Sequence, residues 1–106
     1  MDLITISEQI ERSIAWFTTS SESLAVSKAE YEHKEDYKKT QLAICELQAH
    51  GITQKEIERI ALASQEYQDF LQELNLTRLN YLKRKCEWEA RMAAFDGLRS
   101  LNKNLQ

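Results

Sequence analysis

Apolar residues recur at three- and four-residue spacing along most of the chain, and the polar interruptions between these stripes divide it into helices. The longest pattern runs from Thr53 to Leu105. One stripe passes through Ile57, Ile60, Tyr67, Leu71, Leu74, Tyr81, Trp88, Met92 and Phe95. A second lies beside it, through Leu79, Leu82, Cys86, Ala90, Ala93, Leu98 and Leu101. Two adjoining stripes predict a helix that buries a wide face against more than one neighbour. At about 1.5 Å per residue it would be roughly 75 Å long, too long to hide its apolar face inside a compact globule of 106 residues.

Upstream, Leu3, Ile6, Ile10, Ile14 and Phe17 share one face of a short helix, with Trp16 beside them. Thr5 followed by Glu8 fits a capping box. Thr18 to Ser23 is rich in hydroxyls, which compete with helical hydrogen bonding, and reads as a linker. A second helix follows to Ala49, with partial stripes through Leu24, Tyr31, Leu42 and Cys45 and through Val26, Ala29, Tyr37, Ile44 and Leu47. Its middle, Glu32 to Lys39, holds no aliphatic residue and predicts a solvated waist, with Glu35 and Lys39 at i,i+4 spacing. Gly51 suits a left-handed position after this helix, and Thr53 with Glu56 forms another capping box. So short a connection makes the flanking helices antiparallel.

The expected fold is all-α: a single domain, 1–106, with helices at 5–18, 22–49 and 54–103 and a turn at 50–53. The last helix outruns the second, leaving an apolar overhang from Tyr81 onward. The first helix, folding back after the linker, covers part of it and gives a three-helix, coiled-coil-like bundle. Alternatively, the overhang pairs with the same region of a second copy. Tyr81, Leu82, Trp88, Met92, Phe95 and Leu98 are the candidate oligomer interface, and a homo-oligomer is the expected assembly.

Composition narrows the chemistry. The chain has no proline and two glycines, which leaves little material for a turn-rich β fold or an active-site loop. Cys45 and Cys86 are too few for a disulfide framework or a zinc site and read as small, reduced core residues. Glu8, Glu11 and Arg12 interrupt the N-terminal apolar residues, so neither a signal peptide nor a membrane span is expected, and the compartment expected is the cytoplasm. No phosphate loop, activated nucleophile or pair of histidines at ligand spacing is present. His33 with Glu30 and Asp36 is an isolated cluster on a charged helix. The reading is of a non-enzymatic protein with no cofactor and no metal.

The net charge of −3 is unevenly spread. Residues 1–53 hold five Lys/Arg against nine Asp/Glu, whereas residues 78–106 hold seven against three. Within that basic tail Arg78, Lys83, Arg84, Lys85, Arg91 and Arg99 are interleaved with Tyr81 and Trp88. Cations neutralise phosphates and aromatic rings stack on unpaired bases, the means by which a sequence-tolerant single-strand binder works. The plainer reading makes the two aromatics core residues and leaves the cations solvating the helix or paired with Glu8 and Glu11.

Several stretches are also similar to small helical bacteriophage and prophage proteins. They are Glu30-Tyr31-Glu32 to Lys38-Lys39, the turn Gly51-Ile52-Thr53, the opening Glu56 to Ala61, and the closing Leu98-Arg99-Ser100-Leu101-Asn102. The likeness covers roughly residues 28–103, and the Arg-Ser-Leu-Asn ending is its distinctive part. Such proteins resemble the UvsY-like recombination mediators. The resemblance implies an oligomeric helical mediator of DNA recombination or replication that contacts single-stranded DNA and a recombinase, annealing or single-strand-binding protein. Lys83, Arg84, Lys85 and Arg91 become the candidate strand-binding surface, with Arg99 a second contact. The competing class is a structural or regulatory adaptor that binds only protein.

Overall fold

A computed structural model describes residues 2–105. Every regular element in it is helical: α1 spans Leu3–Gln48, α2 Gln54–Ala63 and α3 Gln65–Leu105. The all-α hairpin is therefore as expected, but the three helices divide the chain differently.

Thr18 to Ser23 is not a linker. It lies inside α1, which runs unbroken for 46 residues. Three of the segment's five hydroxyls bond within the helix: Thr18 Oγ1 donates to the Ile14 carbonyl at 2.9 Å, Thr19 Oγ1 to Ala15 at 3.1 Å, and Ser21 Oγ to Thr18 at 3.2 Å. Such back-bonding gives a hydroxyl a partner inside a helix without breaking it, and no Gly or Pro stands within α1 to stop it. The cap at the start is also displaced from the expected Thr5–Glu8 box. Asp2 accepts the Thr5 amide at 2.8 Å through its carboxylate, and its carbonyl accepts the Ile6 amide at 3.1 Å.

The long final helix is interrupted once, at Ser64, whose ψ of 147° leaves the helical region. Ser64 is the only serine or threonine between Thr53 and Thr77. Its Oγ donates to the Ala61 carbonyl at 2.7 Å, closing α2, and accepts the Tyr67 amide at 3.3 Å, opening α3. The Gln68 side-chain amide donates to the Leu62 carbonyl at 2.8 Å. The groups orphaned by the break thus find partners locally.

At the hairpin turn the Thr53 cap forms as expected, with the Glu56 amide donating to Thr53 Oγ1 at 3.2 Å. Glu56 reaches back to the Ile52 amide, one residue earlier than a standard box. Gly51 does not adopt the left-handed conformation, since no residue described has positive φ. Its role is close approach: a Cβ there would lie 3.1 Å from Ile57 Cγ1 and 3.3 Å from the Ile57 backbone nitrogen.

The chain divides into two compact units: a turn unit, Lys28–Asn80, and a terminal unit, made of the chain up to Ser27 together with Tyr81 onward. In the turn unit, Cys45, Ala61, Tyr67, Phe70 and Leu74 form a buried cluster, with Tyr31, Leu42 and Leu71 packed against it. The antiparallel order shows in the pairs: Tyr37 lies 6.2 Å from Phe70 between ring centroids, and Lys34 Nζ 3.3 Å from a Glu73 carboxylate oxygen. The waist is therefore only partly solvated, and its ion pairs are Lys34–Glu73 and Lys28–Glu32 rather than Glu35–Lys39.

In the terminal unit the expected overhang does not exist. Phe17 meets Trp88 edge-on at 4.8 Å and Phe95 at 5.7 Å, and Trp16 lies 5.8 Å from Trp88. The residues covering the end of α3 arrive by continuation of α1, not by a folded-back helix. Tyr81, Trp88, Phe95 and Leu98 of the expected oligomer interface are half-buried here, and only Leu82 and Met92 stay exposed. Cys86 is exposed as well, contrary to its reading as core, while Cys45 is buried.

A strict seven-residue repeat underlies both units. On α1 the sheltered positions are Ile6, Ile10, Ser13, Phe17, Ser20, Leu24, Ser27, Tyr31, Lys34, Lys38, Gln41 and Cys45, spaced alternately by four and three. On α3 the same spacing selects Tyr67, Phe70, Leu74, Thr77, Tyr81, Arg84, Trp88, Arg91, Phe95, Leu98 and Asn102, all sheltered except the two arginines. This is coiled-coil spacing, with every second position on α1 polar from Ser13 to Gln41.

Candidate nucleic-acid interface

The heptad register sorts the six basic candidates. Arg78 belongs to the turn unit, where its Nη2 donates to Asn75 Oδ1 at 3.3 Å. The other five lie in the terminal unit, all exposed. Arg84 and Arg91 occupy inward positions on either side of Trp88, so their stems start beside the aromatic cluster while their heads reach water. Lys85 and Arg99, fourteen residues apart, share a row that flanks the seam, about 21 Å along the helix. Lys83 stands off that row. Arg84, Lys85, Arg91 and Arg99 thus lie toward one side of α3 in the terminal unit, with Lys83 off it; Arg78, seven residues before Lys85 in the same heptad row, falls in the turn unit.

Two of these guanidiniums are held by aromatic rings. Arg91 Cζ sits 4.5 Å from the centroid of the Trp16 ring, and its Nη2 is 3.7 Å from Glu87 Oε1. Arg99 Cζ is 5.8 Å from the Phe95 ring centroid. A cation over an indole face is the stronger kind of such contact. The acidic partner is Glu87 on the same helix, and not Glu8 or Glu11 as the sequence suggested.

The electrostatics differ from the picture of a basic tail. Residues 81–106 carry six Lys/Arg and three Asp/Glu, while residues 1–27 carry one and four, so the terminal unit has a formal charge of zero. Charge here acts through individual contacts rather than through a long-range field.

Sequence reasoning missed Trp16, Ser20, Leu24 and Glu87, which surround Arg84 and Trp88 in one cleft. The signal available was the seven-residue spacing of Ser13, Ser20 and Ser27 between Ile10, Phe17, Leu24 and Tyr31. Among the described residues, no three His, Cys, Asp or Glu side chains stand close enough to hold a metal ion, and no helix is long and apolar enough to cross a membrane. No family model, curated protein or solved structure matches the chain.

Proposed function

We propose that the protein is a non-enzymatic helical accessory factor of DNA recombination or replication, of the phage or prophage type, that holds single-stranded DNA along α3 of its terminal unit. One observation carries this reading: Arg84, Lys85, Arg91 and Arg99 are exposed toward one side of a helix, and among them only Arg91 is in an ion pair. Unneutralised cations at helical spacing suit a phosphate backbone. The resemblance to UvsY-like mediators supplies the process, with a recombinase or single-strand-binding protein as the partner and self-association as the working form.

An electrophoretic shift with a single-stranded oligonucleotide at low salt tests the reading. The three cations outside an ion pair, Arg84, Lys85 and Arg99, predict that log affinity falls against log salt with a slope of about −2. Absence of any shift at tens of micromolar protein rules the reading out.

A second reading, an adaptor that binds only protein, is favoured by a different feature. Leu82, Cys86 and Leu101 on α3 stay exposed after the hairpin has closed. It predicts concentration-dependent self-association or capture of one protein partner, without salt-sensitive affinity for DNA. Light scattering across a concentration series, run beside the shift assay, separates the two.

A further inference from the structure

A cleft of about 250 Å³ opens between α1 and α3 in the terminal unit, lined by Trp16, Ser20, Leu24, Arg84, Glu87 and Trp88. The seam pattern accounts for it. Ser20 occupies an inward position where a coiled coil ordinarily carries a large apolar side chain, and the space beside Trp88 is left unfilled.

The walls are braced. Trp16 and Trp88 lie 5.8 Å apart at 40° to one another. Phe17 packs edge-on against Trp88 at 4.8 Å, and Arg91, anchored to Glu87, covers the Trp16 ring. The volume is below the roughly 300–1,000 Å³ of sites for drug-sized ligands, so it suits a single planar ring system. Indole surfaces stack on any base, a guanidinium at the rim meets a phosphate, and a carboxylate accepts from an exocyclic amino group.

We propose that this cleft receives one unpaired base of a single strand, stacked on Trp88 beside the Arg91-covered Trp16, with its phosphate at Arg84. The inference rests on the strand-binding reading but is separable from it, because the cations of α3 can hold phosphates with no base inserted.

Both tryptophans of the chain line the cleft, so their emission reports on it directly. The full chain is titrated at low salt with an oligodeoxycytidine strand, with the same strand annealed to its complement, and with cytidine monophosphate. The single strand is expected to quench emission, and the duplex, whose bases are paired, to leave it unchanged. Ser20→Leu fills the cleft with a residue suited to a coiled-coil seam. It should abolish quenching and weaken strand affinity about 5- to 150-fold, the range for loss of one stacked base, with helical circular dichroism retained. A strand that shifts in a gel without quenching overturns the cleft assignment and leaves the strand-binding reading standing. Equal quenching by the duplex overturns it too, and this comparison needs no variant. Quenching by the monophosphate at equal concentration reassigns the cleft to a free nucleotide and overturns the strand. Neither shift nor quenching removes both proposals.

Discussion

The turn unit and the terminal unit use antiparallel helices with the same seven-residue repeat, yet they are filled differently. The turn unit packs Tyr67, Phe70 and Leu74 of α3 into a buried cluster with Cys45 and Ala61. Among the described residues of the terminal unit Ile6 is the only buried hydrophobic one, and Trp16, Phe17, Trp88 and Phe95 are half-buried along the seam that carries Ser13 and Ser20. Large side chains facing large ones exclude solvent, whereas large ones facing serine leave gaps. The contrast teaches that a repeat fixes which positions face inward, while side-chain volume decides whether the seam becomes a core or a cleft.

The largest test of that contrast compares two phenylalanines. Phe70→Ala should cost about 3 kcal/mol, as expected for an emptied core site. Phe17→Ala, at a half-open seam, should cost about half as much because water already reaches the site. Urea denaturation of both variants reads the difference. Equal losses would mean that the terminal unit is as well packed as the other.

A smaller effect in the opposite direction is expected at Ser13, an inward position whose hydroxyl donates to the Gln9 carbonyl within its own helix at 2.9 Å. Ser13→Leu should raise stability by about 1 kcal/mol, since the added apolar surface is partly buried and no partner across the seam is lost. Gly97 offers a similar gain on α3. A Cβ there meets nothing within 4 Å, so Gly97→Ala should add about 0.5–1 kcal/mol in thermal or urea unfolding.

The smallest effect concerns pH. The Thr5 backbone amide, donating to the Asp2 carboxylate, holds that carboxyl below its ordinary value. A carboxyl depressed in the folded state contributes stability that is present above its unfolded value, near 3.8, and lost as pH falls through the folded one. Asp2→Asn keeps an acceptor at the cap but not its charge, so it should lower the melting temperature slightly at neutral pH, leave it unchanged in acid, and thereby flatten the acid side of the profile.

How much of this could be read from the residues follows from the same physics. The all-α class, the antiparallel hairpin and the Thr53 cap were legible because apolar periodicity and capping chemistry are local. The Thr18–Ser23 segment was not, because hydroxyls suit caps and helix interiors alike, and only the continuing heptad of Ile10, Phe17, Leu24 and Tyr31 distinguishes them. The break at Ser64 was hidden because the apolar stripe passes through it from Ile57 to Tyr67. For the site, the basic residues and Trp88 were visible in the sequence, but their partner Trp16 was not. Its position depends on α1 continuing unbroken for two more turns. The same error turned Trp88 and Phe95 into overhang, since a helix that stops at Thr18 cannot carry Phe17 to them along the same line.

The terminal unit therefore depends on the backbone between Thr18 and Ser23 staying helical, and amide hydrogen exchange resolved at those residues tests this most directly. A continuous α1 predicts protection there comparable with that at Trp16 and Leu24 on either side. Exchange at the rate of an unstructured peptide, between two protected flanks, would contradict it and would detach the cleft from the helix that forms half of it.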